Sequence, residues 1–138
     1  MNSLLLSRHW QAMLMSLVVL FAVLTRYGGP LNPAPNVNHV SIPQAVALIE
    51  QGALVIDVRQ SPTNHLPGAM LIPLEVLAAQ LSKLETAKTQ SIVVYCGNGT
   101  TLGPRAAQIL TEAGFSHVVN LEPGFEGWRA AGLPVVAG

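Results

Sequence analysis

The sequence predicts an α/β fold in which a mostly parallel sheet of about five strands carries helices on both faces. Short β-branched runs, such as residues 91–95 and 117–119, alternate along the chain with segments of helical periodicity. Glycines stand at the ends of several of these segments, where they favour turns. Strands that alternate with helices pair in parallel, so a site is expected at the carboxyl ends of the strands.

The elements are predicted in the order strand, helix, strand, turn, helix, strand, helix, strand, helix. The first helix starts with a capping-box pattern from Ser41 to Gln44, presents Val46 and Ile49 on one face and ends at Gly52. Apolar side chains at helical spacing mark the later helices. The residues with this spacing are Leu74, Leu77, Leu81 and Leu84, then Ala107 and Leu110 before Gly114, then Phe125 and Trp128 before Gly132.

The only cysteine of the chain, Cys96, directly follows the run at 91–95, which has the composition of a buried strand. A loop rich in glycine, asparagine and threonine comes next, and Gly103 and Pro104 have the residue types of an N-cap and first position of a helix. Backbone amides in such a loop can converge on one spot, where the helix dipole adds positive potential. Because this environment stabilises a thiolate, Cys96 is predicted to be the catalytic nucleophile.

The loop after Cys96 is predicted to bind substrate through its backbone amides and hydroxyls. The predicted binding residues are Gly97, Asn98, Gly99, Thr100, Thr101 and Leu102. The alternative is an inert cysteine at the end of a core strand, since free cysteines are commonly buried. Two glycines directly before a helix argue against that alternative, because an inert strand end does not require them.

Five segments between residues 39 and 136 together resemble the rhodanese superfamily. They are Leu54 to Arg59, with a D-x-R ending; His65 to Ala69, similar to an H-I-P-G-A turn; the loop Cys96 to Leu102; Asn120 to Trp128, similar to L-x-G-G-x-x-G-W; and Gly132 to Val135. The resemblance implies a three-layer rhodanese-like fold and a persulfide on Cys96 that carries the transferred sulfur. It also implies a small sulfur-containing donor, a thiol or cyanide-like acceptor, and no cofactor.

The loop departs from that family's pattern at Thr101, where typical sulfurtransferases carry a basic residue. Its length resembles that of the dual-specificity phosphatases, which share the fold and need Cys-x5-Arg because a bidentate guanidinium holds the phosphate. Leu102 stands at that arginine position, and Arg105 lies one helical turn further on.

Asp57 and Arg59, at the end of the second predicted strand, are predicted to support the site. One interpretation is a structural ion pair, and the other is that one of the two residues tunes the Cys96 loop. The first is favoured, because the same D-x-R pattern is widespread in family members of differing activity.

Composition excludes several other functions. Lys and Arg total 7, as do Asp and Glu, so the formal net charge is +0 and no basic patch for nucleic acid is present in the sequence. A single cysteine excludes an intramolecular disulfide and a cysteine-based metal cluster. The 4 histidines show no ligand spacing, so no metal site is predicted.

The high hydrophobicity has its source near the N-terminus, where residues 10–24 contain only Gln11 and Ser16 as polar residues. A membrane-spanning helix needs about 17 to 25 mostly apolar residues, so this stretch is at the short edge. The sequence predicts a transmembrane signal anchor at 1–27, a linker rich in proline, glycine and asparagine at 28–38, and a rhodanese-like domain at 39–138. A cleaved signal peptide is the alternative, although no A-x-A-like site follows the stretch.

No Lys or Arg occurs from residue 27 to residue 58, and short flanks without these residues favour the outer side of a membrane. A single-pass protein of the bacterial inner membrane with its domain on the periplasmic side is therefore expected. The sequence identifies no protein partner.

Three functions remain open at this point. The leading hypothesis is a membrane-tethered sulfurtransferase that moves sulfane sulfur from a thiosulfate-type donor to a thiophilic acceptor through Cys96. The second is a non-catalytic rhodanese-like module that binds a partner or a small anion, which the neutral loop favours. The third, an arsenate reductase or phosphatase, is disfavoured by Leu102.

Overall fold

The computed structural model describes Met13 and residues 36–138 of the chain. The described domain falls in the compact unit Ala34–Gly138. Apart from Met13, the predicted membrane helix at 1–27 lies outside the described residues, as does most of the linker at 28–38. Among the described residues, no helix has the length and apolar character that a membrane span requires.

Seven strands and four α-helices form the described domain. The strands are β1 (Asn38–Val40), β2 (Leu54–Asp57), β3 (Asn64–His65), β4 (Met70–Leu71), β5 (Ser91–Tyr95), β6 (His117–Leu121) and β7 (Val136–Ala137). The helices are α1 (Ile42–Glu50), α2 (Leu74–Leu77), α3 (Leu102–Glu112) and α4 (Gly124–Ala130), with a 3₁₀ helix at Ala78–Ala87 after α2.

A five-stranded sheet in the order β1-β6-β5-β2-β4 organises the domain, and all four of its strand pairs are parallel. The predicted α/β class with a mostly parallel five-stranded sheet is therefore confirmed. β5, the strand that precedes Cys96, lies at the centre of the sheet between β6 and β2. The predicted start of the domain at residue 39 falls inside β1, because Asn38 already pairs with Val119.

Apolar side chains alternate between the two faces of the sheet and form two core clusters. On one face, Ile92 and Val94 of β5 pack with α3, α2 and the 3₁₀ helix, and Cys96 belongs to this cluster. On the other face, Val93 and Tyr95 pack with α1 and α4. Side chains with a period of two thus bury both faces of one strand, as parallel sheets between helices require.

Two predicted helices differ in detail from the structure. The leucine-spaced segment is α-helical only over Leu74–Leu77 and continues as the 3₁₀ helix, although Leu77 and Leu84 are buried as expected. α3 begins at Leu102 after Thr101 as N-cap, so the predicted start at Pro104 was two residues too late. Proline is tolerated in the first turn because its missing N–H is not used there.

Candidate active site

Cys96 follows β5 directly at the carboxyl edge of the sheet and opens the loop that leads to α3. Its side chain is 1% exposed, within the core cluster that α3 covers. The six residues from Cys96 to Thr101 form the connection from β5 to α3, called here the Cys96 loop. This arrangement places the sulfur beside the N-terminus of an 11-residue helix, where the helix dipole favours negative charge.

The Cys96 loop folds back on its own sulfur. The backbone N–H of Gly99 donates to Cys96 Sγ at 3.2 Å, and Gly99 adopts a φ of 78° that favours glycine. Asn98 Oδ1 lies 3.8 Å from the same sulfur and accepts the N–H of Thr100 at 3.0 Å. A backbone amide that points at the sulfur is the contact that stabilises a thiolate.

The first turn of α4 holds the Cys96 loop from the other side. Phe125 N–H donates to the carbonyl of Cys96 at 2.8 Å, and Glu126 N–H donates to that of Gly97 at 2.9 Å. Gly124 allows this close approach, because a Cβ there would lie 2.5 Å from the carbonyl oxygen of Gly97. The loop is therefore fixed between two helices rather than by its own residues alone.

The exposed side chains of the Cys96 loop and of Leu102 are uncharged, and one acidic side chain lies beside the loop. The side chains of Asn98, Thr100, Thr101 and Leu102 are exposed, and Leu102 is 38% exposed. The Glu126 carboxylate lies beside the loop, since its Oε1 would be 3.8 Å from a Cβ on Gly97. Residues 97–104 include no lysine, arginine or histidine, so an anionic substrate meets no cationic side chain from the loop itself.

Asp57 and Arg59 form a two-bond ion pair. Arg59 Nε donates to Asp57 Oδ1 at 3.0 Å, and Arg59 Nη2 donates to Asp57 Oδ2 at 2.8 Å. Tyr95 OH also donates to Asp57 Oδ2, at 2.8 Å, and accepts the N–H of Leu66 at 3.0 Å. The side-chain hydrogen bonds of Asp57 and Arg59 stay within this cluster and the nearby backbone. The cluster meets the Cys96 loop through Phe125, whose ring centroid lies 4.1 Å from the Arg59 guanidinium.

Burial raises the pKa of Tyr95 above its ordinary value, and the neighbouring Asp57 carboxylate acts in the same direction. The phenol therefore remains protonated and donates to the carboxylate throughout the neutral range.

Replacing Tyr95 with phenylalanine is expected to lower the free energy of unfolding by about 2 to 3 kcal/mol, because Leu66 N–H and Asp57 Oδ2 each lose a buried partner. Urea unfolding of wild type and Tyr95→Phe measures this loss. Ser116→Ala is the matched control, since it removes only exposed hydroxyl hydrogen bonds, to the Lys88 carbonyl and to His117 Nδ1, and should change stability by no more than about 0.5 kcal/mol. A loss as small as that of the control would mean that other groups satisfy Leu66 and Asp57.

Several contributors to the site were not predicted from the sequence. Phe125 and Glu126 hold the loop by backbone bonds, which no side-chain pattern reveals. Asn120, which is fully buried on β6, donates to the carbonyl of Gly99 at 2.9 Å. The available signal was a polar residue between the apolar Val119 and Leu121, directly after the strand predicted at 117–119, which the structure extends to Leu121.

No group of metal-ligating side chains occurs in the described part of the chain.

Comparison with known proteins agrees with this geometry. The family model described as "Rhodanese-like domain" matches residues 41–131, which is more than half of the chain. Thiosulfate sulfurtransferase GlpE of Pseudomonas savastanoi pv. phaseolicola is 39% identical over 90 residues, covering 63% of this chain and 82% of that protein. YibN of Escherichia coli, an uncharacterized protein, is 33% identical over 140 residues, covering 97% and 91%.

Solved structures show the same fold. A full-length protein from Lactobacillus plantarum superposes with a TM-score of 0.64 at 30% identity, covering 72% of this chain and 88% of that one. The thiosulfate sulfurtransferase from Pseudomonas aeruginosa gives 0.65 at 25% identity, covering 74% and 20%. The fold and the loop thus define a rhodanese-type domain.

The chain belongs to the rhodanese-like domain family. Its relatives in that family include proteins named as sulfurtransferases.

Proposed function

We propose that this protein is a sulfurtransferase that carries sulfane sulfur as a persulfide on Cys96. The observation that carries the proposal is the Gly99 N–H at 3.2 Å from Cys96 Sγ, in a loop that joins the central strand to the N-terminus of α3. A thiolate held this way is the attacking group, although Cys96 is only 1% exposed, and the Gly99 amide remains in place as negative charge moves across the sulfur. The named sulfurtransferases among the relatives support the same chemistry.

In the first step the Cys96 thiolate attacks the outer sulfur of a thiosulfate-type donor. A bond forms between the two sulfur atoms, the donor's own sulfur–sulfur bond breaks, and sulfite leaves with the electron pair. The protein then carries a Cys96 persulfide. Gly99 N–H can donate to either sulfur, because the outer atom is bonded directly to Cys96 Sγ.

In the second step an acceptor removes the outer sulfur. Cyanide or a thiolate attacks that atom, the persulfide bond breaks, and the electron pair returns to Cys96 as the thiolate. The products are thiocyanate or an acceptor persulfide. The two steps together transfer one neutral sulfur atom, so neither a metal nor a redox cofactor is required.

A second candidate function is a rhodanese-like module that binds a partner or a small anion without catalysis. The uncharged loop favours it, since thiosulfate is a dianion and the Glu126 carboxylate beside the loop repels it. Phosphatase or arsenate reductase activity is disfavoured, because the apolar Leu102 stands where a guanidinium would bind the phosphate.

Intact-mass measurement distinguishes these functions. After treatment with thiosulfate, the wild-type protein should gain about 32 Da, one sulfur atom, and addition of cyanide should remove it as the persulfide is attacked. The same protein should release no phosphate from an aryl phosphate. If the wild-type protein stays unmodified at saturating donor, the sulfurtransferase function is rejected and the binding module is favoured. Clear phosphate release would reject our interpretation of the loop.

We further propose that residues 1–27 anchor the domain in the bacterial inner membrane as a single span, with residues 28–38 as linker and the domain on the periplasmic side. The apolar stretch at 10–24 and the absence of Lys and Arg from 27 to 58 support this. The alignment with YibN covers 97% of the chain, so the similarity extends beyond the rhodanese domain into the N-terminal segment.

The full-length protein should remain with the membrane fraction through a carbonate wash, because apolar burial rather than charge would hold it there. A protein that begins at Ala34 should be recovered in the supernatant and should retain its Cys96 chemistry.

N-terminal sequencing that finds a mature protein starting between Gly28 and Asn38 would replace the anchor with a cleaved signal. Labelling of Cys96 in intact cells by an impermeant thiol reagent would support a domain on the periplasmic side of the membrane. Labelling only after lysis would place the domain on the opposite side.

A further inference from the structure

Asn120 is a buried polar residue beneath the Cys96 loop to which the two sulfur-transfer steps give no role. It lies near the carboxyl end of β6 and is 0% exposed. Val118, two residues earlier, packs in the same cluster as Cys96, and side chains alternate along a strand. Asn120 therefore occupies the face of the sheet on which the nucleophile lies.

The amide nitrogen of Asn120 links two segments that are distant in sequence. Nδ2 donates to the carbonyl of Gly99 at 2.9 Å and lies 3.1 Å from His39 Nδ1 on β1. His39 and Asn120 are also register partners in the sheet. Because Gly99 N–H donates to Cys96 Sγ, the contacts run without interruption from His39 through Asn120 and Gly99 to the sulfur.

The amide oxygen of Asn120 has no hydrogen-bond partner among the described residues, although it is buried. It faces Gly103 in the first turn of α3, where a Cβ would overlap it and would lie 3.4 Å from Cys96 Sγ. An unpaired buried acceptor lowers stability, whereas an apolar side chain of the same shape would not. A residue suited only to packing at this position would therefore be apolar.

We propose that Asn120 is a positioning residue which, oriented by His39, holds Gly99 so that its N–H points at the Cys96 sulfur during loading. The proposal rests on the proposed sulfur transfer for its functional meaning. Its physical content is the geometry of Gly99, which is measurable without any sulfur donor.

The test compares Asn120→Leu, which keeps the branched shape of the side chain and removes both polar atoms, with Val118→Ala, which opens a cavity on the same strand and face. Asn120→Leu takes the donor from the Gly99 carbonyl but also removes an unpaired buried oxygen, so its thermal midpoint should fall no further than that of Val118→Ala. It should nevertheless load sulfur from thiosulfate and react with iodoacetamide about tenfold more slowly, as loss of a positioning contact predicts. Val118→Ala should lower the midpoint and keep both rates within about twofold of wild type. Amide exchange at Gly99 should accelerate in Asn120→Leu alone.

Folded Asn120→Leu with both rates within about twofold of wild type would overturn the proposal. Equal losses of rate in Val118→Ala would overturn it as well, by assigning the effect to general destabilisation. If Asn120→Leu does not fold, His39→Ala provides the test, because His39 is exposed and its replacement should leave the fold intact. Both rates should then fall about threefold, and unchanged rates would overturn the proposal. A wild-type protein that takes up no sulfur would reject only the sulfurtransferase, since alkylation and amide exchange still test the positioning.

Discussion

Replacing Cys96 with serine is expected to abolish sulfur loading completely. Cys96 is the only cysteine of the chain, so no second thiol can take over the attack on the donor. A serine hydroxyl is not ionised at neutral pH and does not accept sulfane sulfur, whereas a cysteine thiolate can. Mass spectrometry after thiosulfate treatment should show the gain of about 32 Da in wild type and none in Cys96→Ser.

The interpretation of this variant depends on its being folded. Cys96→Ser is nearly isosteric, and the hydroxyl remains within reach of Gly99 N–H and Asn98 Oδ1, which contact the sulfur in the wild type. Its circular dichroism and urea midpoint should therefore stay close to those of the wild type. One sulfur atom bound to folded Cys96→Ser would place the accepting group elsewhere and refute the persulfide on Cys96.

Replacing Gly99 with alanine is expected to cost about 4 kcal/mol or more of unfolding free energy. Part of this cost comes from the φ of 78°, which strains a residue with a Cβ by about 1 to 2 kcal/mol. The larger part is steric, since the Cβ would overlap the backbone carbonyl of Glu122, which cannot rotate away as a side chain would. Relief of the overlap would move the Gly99 N–H off the sulfur, so sulfur loading should fall as well.

Gly132→Ala is the matched control for this prediction. Gly132 has a similar φ of 73°, but nothing lies within 4 Å of a Cβ placed there. Only the conformational strain of about 1 to 2 kcal/mol should appear, with sulfur loading unchanged. Urea unfolding of both variants separates the conformational strain from the steric overlap. Equal losses of unfolding free energy would show that the Cys96 loop shifts to accommodate the new methyl group at little cost.

The sheet and its helices were predictable because burial on both faces requires local sequence patterns, such as apolar runs in the strands and helical spacing of apolar residues. After the polar Ser91, β5 is an uninterrupted apolar run, and α1 shows its capping box from Ser41 to Gln44 in both sequence and structure. β4 was not predicted as a strand, because two residues paired at the edge carry no periodicity. The 3₁₀ helix was read as α-helix, since leucines three and four positions apart fit both geometries.

The position of Cys96 between a strand and a helix was predictable for a similar reason: a cysteine, two glycines and a helix start are adjacent in the sequence. The contacts that orient it were not, because they join residues far apart along the chain. Phe125 N–H on the Cys96 carbonyl is a backbone contact, so any residue type could make it. Asn120 and His39 are 81 positions apart and meet only once β1 pairs with β6.

The pairing of β1 with β6 also affects when the Cys96 site is complete during synthesis of the chain. Residues 38–40 pair in the sheet only with residues 119–121. The edge strand β1 can therefore join the sheet only after nearly the whole chain has been synthesised. Contacts of such long sequence separation form slowly, and a domain still emerging from the ribosome cannot make them. A nascent chain therefore bears Cys96 without the His39–Asn120 contact, and the positioning proposed for Asn120 is in place only after the domain is complete.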